Sequence, residues 1–107
     1  MNTSDNGKNI AIVSYITIIG AIIAIFMNSE KKDKFAAFHI RQALGIFVSF
    51  FLIGYFIGYF DSWMISSAFY VFYFILWMYG FVAALQGETK LIPLLGEPFQ
   101  NIFKNIE

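Results

Sequence analysis

The chain has no cysteine, one histidine, two prolines and few charges. Without cysteine there is no disulfide framework, no thiol chemistry and no thiolate metal site. A single histidine excludes a multi-histidine metal centre. Charged residues make up 13% of the 107 positions, about half of the roughly 25% usual in soluble domains. Seven basic and seven acidic residues cancel to a net charge of zero, which speaks against a basic nucleic-acid binder on electrostatic grounds. No Gly-rich phosphate loop, Gly-x-Ser-x-Gly elbow or His-Glu-x-x-His pair occurs. The expectation is a non-enzymatic chain with no cofactor and no nucleic-acid partner. No internal repeat suggests the inverted plan of secondary transporters.

What the sequence does have is apolar surface, with 59% of residues hydrophobic and 21% aromatic. A soluble domain this small leaves much of its surface in water and needs charge to cover it. Fourteen charges could hardly do so. A membrane is the consistent solvent. Three uncharged runs are long enough to enter one: Ile10–Met27, Ala43–Phe60 and Trp63–Leu85. At ~1.5 Å per residue, the 18 residues of the first reach about 27 Å, close to the hydrocarbon thickness. A cleaved signal is the competing reading of that run, but only Lys8 precedes it and no A-x-A site follows. The second helix is expected to begin near Asp33 or Lys34, since Phe35–Phe38 contains no breaker. Only Asp61 and Ser62 separate the second and third runs, so these form a tight helical hairpin capped at its tip.

The expected fold is an all-α membrane protein. It is one domain over 1–107, with spans at about 10–27, 35–60 and 63–85. An interfacial tail over 91–107 follows. In that tail Pro98 can open a helix. Phe99, Ile102, Phe103 and Ile106 share its apolar face, and Gln100, Asn101, Lys104, Asn105 and Glu107 take the other.

Three spans would put the N-terminus and Asp61 on one side, and the 28–42 loop and the tail on the other. The first side then carries Lys8 alone. The second carries Lys31, Lys32, Lys34, Arg41, Lys90 and Lys104. The positive-inside rule predicts a membrane protein with the N-terminus outside and the loop and C-terminus cytoplasmic. Arg41 is expected to snorkel to the headgroups. Tyr15, Tyr55, Tyr59 and Tyr70 then align in an outer layer with Ser14, Ser66 and Ser67, either bonded together or forming an aromatic belt.

Gly54 and Gly58 form a small-xxx-small pair. Its two readings are a seam for a homo-oligomer and close packing within the chain. Gly20 with Ala24, and Gly80 with Ala84, are weaker versions. His39 and Gln42, at i and i+3, point the same way. They are read either as bonds that fix the helix entry and the neighbouring tail, or as a docking point. The segment Leu91–Gly96 is too short to span, and Pro93 lacks an N–H. Its backbone needs partners at the membrane edge. His39 and Gln42, which both donate and accept, are expected to supply at least one.

Two stretches carry a family resemblance. Ser29–Leu44 reads as a charged loop and then a Phe38-His39-x-x-Gln42-x-Leu44 helix start. Ala83–Gly96 reads as a small-residue helix end and then a hydrophobic-Pro-hydrophobic-hydrophobic-Gly segment. Together, in this order and separated by a hairpin, they resemble the signatures of a family of small bacterial membrane proteins, and the resemblance implies a bacterial cytoplasmic (inner) membrane location. That family is grouped with the Tic-type component of the chloroplast inner-envelope import machinery. It is also similar to magnetosome-membrane proteins linked to crystal size control. The resemblance implies a multi-span helical protein with a translocation, assembly or scaffolding role. The expected function is an accessory or scaffold component of a membrane assembly, with the lipid bilayer and a membrane-protein partner or a second copy as its contacts. Its interaction site would be cytoplasmic: Phe35, Phe38, His39, Arg41, Gln42, Pro93 and Gly96. The alternative is a homo-oligomeric or holin-like pore. A subunit binding a quinone or lipid through the aromatic stripe is a third class.

Overall fold

The computed structural model describes residues 3–106, with side chains from Gly7 to Ile106. Among them there are five α-helices and no strand: α1 (Thr3–Ser14), α2 (Ile18–Lys31), α3 (Lys34–Ile57), α4 (Trp63–Leu85) and α5 (Gly96–Ile102). Two helices, α3 and α4, are long and apolar enough to cross a membrane. Their 24 and 23 residues reach about 35 Å, enough for a hydrocarbon core of about 30 Å. They form the expected hairpin. Ser62 caps α4 through Ile65 N–H, and Gly58 closes α3.

The first run corrects the three-span expectation. It breaks at Tyr15–Thr17 into two short helices of 12 and 14 residues. Each reaches only about 20 Å, well short of a crossing. Local bonds shape the break. Ser14 Oγ donates to Ala11 C=O (2.6 Å), and the N–H groups of Tyr15 and Ile16 reach back only three residues, to Ile12 and Val13. Such tightened bonds end a helix. Thr17 is extended and caps α2, its Oγ1 accepting from Gly20 N–H (3.1 Å). A Cβ on Gly20 would collide with the Val13 carbonyl, so glycine permits the tight return.

α2 runs back beside α1. Gly20, Ala21, Ala24 and Asn28 form its buried face, packed with Ile10 of α1 and Ala36 and Ile40 of α3. At the far end Asn28 and Asp33 exchange side-chain-to-backbone bonds of 3.0 and 3.2 Å. Asp33 also caps α3 through Ala36 N–H (2.9 Å). Gly7, near the start of α1, lies against the Asp33 side chain. The beginning of the described chain therefore sits on the same face as the 28–42 loop, not opposite it. The α1–α2 pair is a short hairpin of re-entrant form, with both of its ends on one side of the bundle.

α5 begins at Gly96, so Pro98 falls within its first turn, where a missing N–H costs nothing. Phe99 is buried, whereas Ile102 is 68% exposed, so the expected four-residue apolar face is only partly used. Glu107, expected on the polar face, lies outside the described residues.

Candidate functional site

The buried polar side chains converge on the lower half of α3. Its first turns carry Ala36, Ala37, His39, Ile40, Gln42 and Ala43 inward. Small residues at 36, 37 and 43 let neighbouring elements approach, and His39 and Gln42 reach across the gap. Tyr15, at the tip of the re-entrant hairpin, comes down onto them. Tyr15, His39 and Gln42 are each 0% exposed.

These three side chains form a directed chain of hydrogen bonds. The backbone N–H of Ile92 donates to Gln42 Oε1 (2.8 Å). Gln42 Nε2 donates to the Tyr15 hydroxyl (3.0 Å). The Tyr15 hydroxyl and His39 Nδ1 are 2.8 Å apart. His39 Nε2 lies 2.7 Å from the Glu88 carbonyl oxygen. A carbonyl only accepts, so Nε2 carries the proton and Nδ1 is the acceptor for Tyr15 O–H. Each of these bonds then pairs a donor with an acceptor, with a neutral imidazole in one tautomer. Both ends of the chain are backbone groups of the 86–96 segment, which is thereby fastened to α3 twice.

Local geometry aims those two groups. Gly87 adopts φ +73°. Its N–H bonds Ala84 C=O (3.1 Å), and Glu88 N–H bonds Ala83 C=O (2.9 Å), the pattern of a Schellman helix end. This fold-back turns the Glu88 carbonyl toward His39. Further along, Gly96 packs on Leu91, where a Cβ would come within 2.8 Å of the Leu91 Cβ. The tip of the hairpin is held too: Trp77 Nε1 donates to the Tyr15 carbonyl (2.6 Å). The Tyr15 ring packs on Gly80, where an added Cβ would lie 2.8 Å from it. The Phe35 and Phe38 rings meet the imidazole edge-on, with centroids 4.8 and 5.1 Å away.

The expected bond from His39 or Gln42 to the 86–96 backbone is therefore present twice. The seven expected surface residues divide. Phe35, Phe38 and Arg41 are half-buried and Pro93 is exposed, whereas His39, Gln42 and Gly96 are buried. Arg41 does not stand free at the headgroups: its Nε donates to the Ile106 carbonyl (2.9 Å) and its Nη1 reaches Gln100 Oε1 (3.4 Å). Gln100 in turn donates to the Phe38 carbonyl (2.8 Å), so the tail lies along the start of α3. Tyr15 leaves the outer tyrosine layer altogether. Tyr55 and Tyr59 do pair, 2.9 Å apart. Sequence reasoning missed Tyr15 and Trp77 as members of the site, and Gly45, whose bare face receives the Phe99 ring. Gly54 makes only ordinary contact with Phe69, 3.4 Å from an added Cβ.

The two sequence signatures, the helix start at 38–44 and the Pro-Gly segment at 91–96, are thus the two sides of one buried polar clamp. Residues 6–99 match the family described as the magnetosome magnetite crystal formation protein family, MamF_MmsF. The chain belongs to this family. Among curated proteins, it is 28% identical over 82 residues to the UPF0132 membrane protein MJ1527 of Methanocaldococcus jannaschii, covering 75% of this chain. It is 29% identical over 82 residues to the UPF0132 membrane protein MJ1443 of the same organism. The matched stretch spans 59% of the length of the first relative and 74% of the second. No solved structure matches the chain. This MamF_MmsF chain is a membrane protein with two apolar spanning-length helices, and its clamp lies at the base of that pair.

Proposed function

We propose that this MamF_MmsF protein is a non-enzymatic scaffold or accessory component of a membrane assembly, acting through the face that carries the clamp. The observation that carries the reading is the closure of the polar chain. Each polar side-chain atom of Tyr15, His39 and Gln42 bonds another of the three or the backbone. Among the described residues no buried side-chain polar atom lacks a partner. A clamp of this kind shapes a surface rather than performing a reaction. Phe35, Phe38, Arg41 and Pro93, still partly or fully exposed, are the part of the expected site that a partner can reach.

Orientation belongs to the same proposal. With a re-entrant first hairpin, Lys8, Lys31, Lys32, Lys34, Arg41, Lys90 and Lys104 all fall on one side. These are the seven basic residues of the chain, and the turn at 58–62 has none. The positive-inside rule makes the clamp side cytoplasmic, and with it the start of α1. A role in protein translocation belongs to the proposal alone; the family and the relatives are named for magnetosome crystals and for membranes. A pore is less well supported, because the upper parts of α3 and α4 are mostly aromatic and aliphatic and carry no charged residue. Two polar pairs there bond each other, Ser49 with Tyr73 (3.0 Å) and Tyr55 with Tyr59 (2.9 Å).

A photo-crosslinking amino acid at position 38 or 93, in native membranes, tests the reading. Capture of a fixed partner from these positions, and not from position 51 on the upper half, is expected. Capture from position 51 alone would overturn the assignment of the working face. Ion leakage through liposomes holding the purified protein would favour the pore.

A further inference from the structure

The molecule changes girth halfway along its long axis of 50 Å. In its lower half α1, α2, α3 and α4 run side by side, with α5 packed on Gly45 of α3. In its upper half α3 and α4 stand alone. The step is where the re-entrant hairpin turns. Ile16, Thr17 and Ile18 border an open apolar cavity of about 560 Å³ whose other walls include Ile46, Phe50 and Tyr73. Ile46 lies 12 positions after Lys34 and Tyr73 lies 12 before Leu85. At ~1.5 Å per residue, both are about 18 Å above the clamp side, near the middle of the bilayer. Burial follows the same division: buried residues of α3 end at Ile46, and those of α4 begin at Tyr73.

The tip suits that depth. Three of its polar groups are met within the chain: the Tyr15 carbonyl by Trp77, the Ser14 hydroxyl by Ala11, and the Gly20 N–H by Thr17. Each such bond lowers the cost of placing irregular backbone in hydrocarbon. The outer side of α2 presents Ile19, Ile23 and Phe26, 48–72% exposed, a face for acyl chains. The hairpin thus fills one leaflet and stops.

We propose that the chain is a curvature element: it favours bilayer bent so that the leaflet holding α1 and α2 is the convex one. The physical reason is area. A helix is ~10–12 Å across with its side chains, so two additional helices occupy roughly 200 Å² in one leaflet that the other does not share. The rings of Phe51, Tyr55, Phe56 and Phe74 widen the upper half, but α5 and the tail widen the lower half as well. A bilayer relieves the mismatch by bending toward the wider side. The ligand of this activity is a lipid surface of defined curvature. It stands apart from any protein partner at the clamp face.

The native chain has no cysteine, which gives a direct test. Ser29→Cys and Asp61→Cys, both at exposed positions on opposite ends, are reconstituted separately into giant vesicles. Each is labelled from outside with a membrane-impermeant dye. Labelled Ser29→Cys reports molecules with the wide leaflet outward, and labelled Asp61→Cys reports the inverse. A thin tube is then pulled from each vesicle, so the outer leaflet is strongly convex. The wide-outward population should be enriched in the tube relative to the vesicle, with a ratio above one, and the inverse population depleted. Equal ratios for the two orientations would overturn the proposal, as they would if a second copy filled the upper half and made the body cylindrical. Enrichment of the Asp61-labelled population alone would overturn it by sign.

Discussion

The lower and upper halves of the α3–α4 hairpin are equally helical and both largely apolar, yet they hold together by different means. Below Ile46 and Tyr73 about half of the buried residues are small, Ala36, Ala37, Ala43, Gly45, Gly80, Ala83 and Ala84, set among larger ones such as Ile40, Leu44 and Leu76. Backbones approach closely there, and buried polar groups bond across the gaps. Above that level the residues are Phe, Tyr, Ile and Leu, mostly exposed. The pair is joined mainly by ring contacts such as Phe50 on Phe69, stacked at 5.3 Å. In lipid, burying an apolar side chain gains little, because acyl chains are as apolar as the protein. What distinguishes the halves is thus close packing and satisfied polar groups, not hydrophobicity.

This contrast can be broken most severely by side. Cysteines at Asn9 and Ser29 should react with an impermeant reagent from one side, and a cysteine at Asp61 from the other. The effect is all or none. Labelling of Asn9 together with Asp61 would restore a third span and abolish the lower bundle.

Gly80→Leu should come next. The side chain must displace the Tyr15 ring, at a cost of about 1–3 kcal/mol or more from overpacking. Thermal unfolding in detergent measures it, and Gly45→Leu should behave alike through Phe99. Tyr15→Phe should cost ~1–3 kcal/mol, since it leaves a Gln42 donor and His39 Nδ1 buried without partners. Its marker is specific: amide exchange at Ile92 should speed up before the spans open. His39→Ala should lower stability to a similar degree. A large loss of partner capture at unchanged stability would instead make His39 a docking residue.

Trp77→Phe removes one bond to the Tyr15 carbonyl and should cost about 1 kcal/mol. The smallest effect belongs to the upper half. Gly54→Ala and Gly58→Ala should stay within ~0.5 kcal/mol, because the added methyl meets only ordinary contacts. If the double alanine variant lost self-association while keeping its stability, the upper half would be a seam between copies.

Much of the fold was legible because the signals were local. Two uncharged runs separated by Asp61-Ser62 can only make a hairpin, and Asp33 does cap α3. The link between His39, Gln42 and the 86–96 segment was legible too, from the need of a proline-containing segment for partners. The re-entrant hairpin was not read, although Thr17 before a helical run and the small face of Gly20, Ala21 and Ala24 were local hints. An uncharged stretch of 18 residues meets the length requirement for a span whether or not it breaks. Its break depends on Trp77, 62 positions away, which takes the freed carbonyl of Tyr15.

Composition by itself determined the solvent, the helical class and the hairpin of α3 and α4. Hydrocarbon leaves the backbone few choices, and length with charge decides which runs cross. Only the tertiary structure decided that the first run turns back, that Tyr15 closes the clamp between His39 and Gln42, and that Arg41 holds the tail. Each of these joins groups 24 to 65 positions apart. Each exists because a polar atom inside the bundle must find its partner wherever the packing brings one, which no local pattern records.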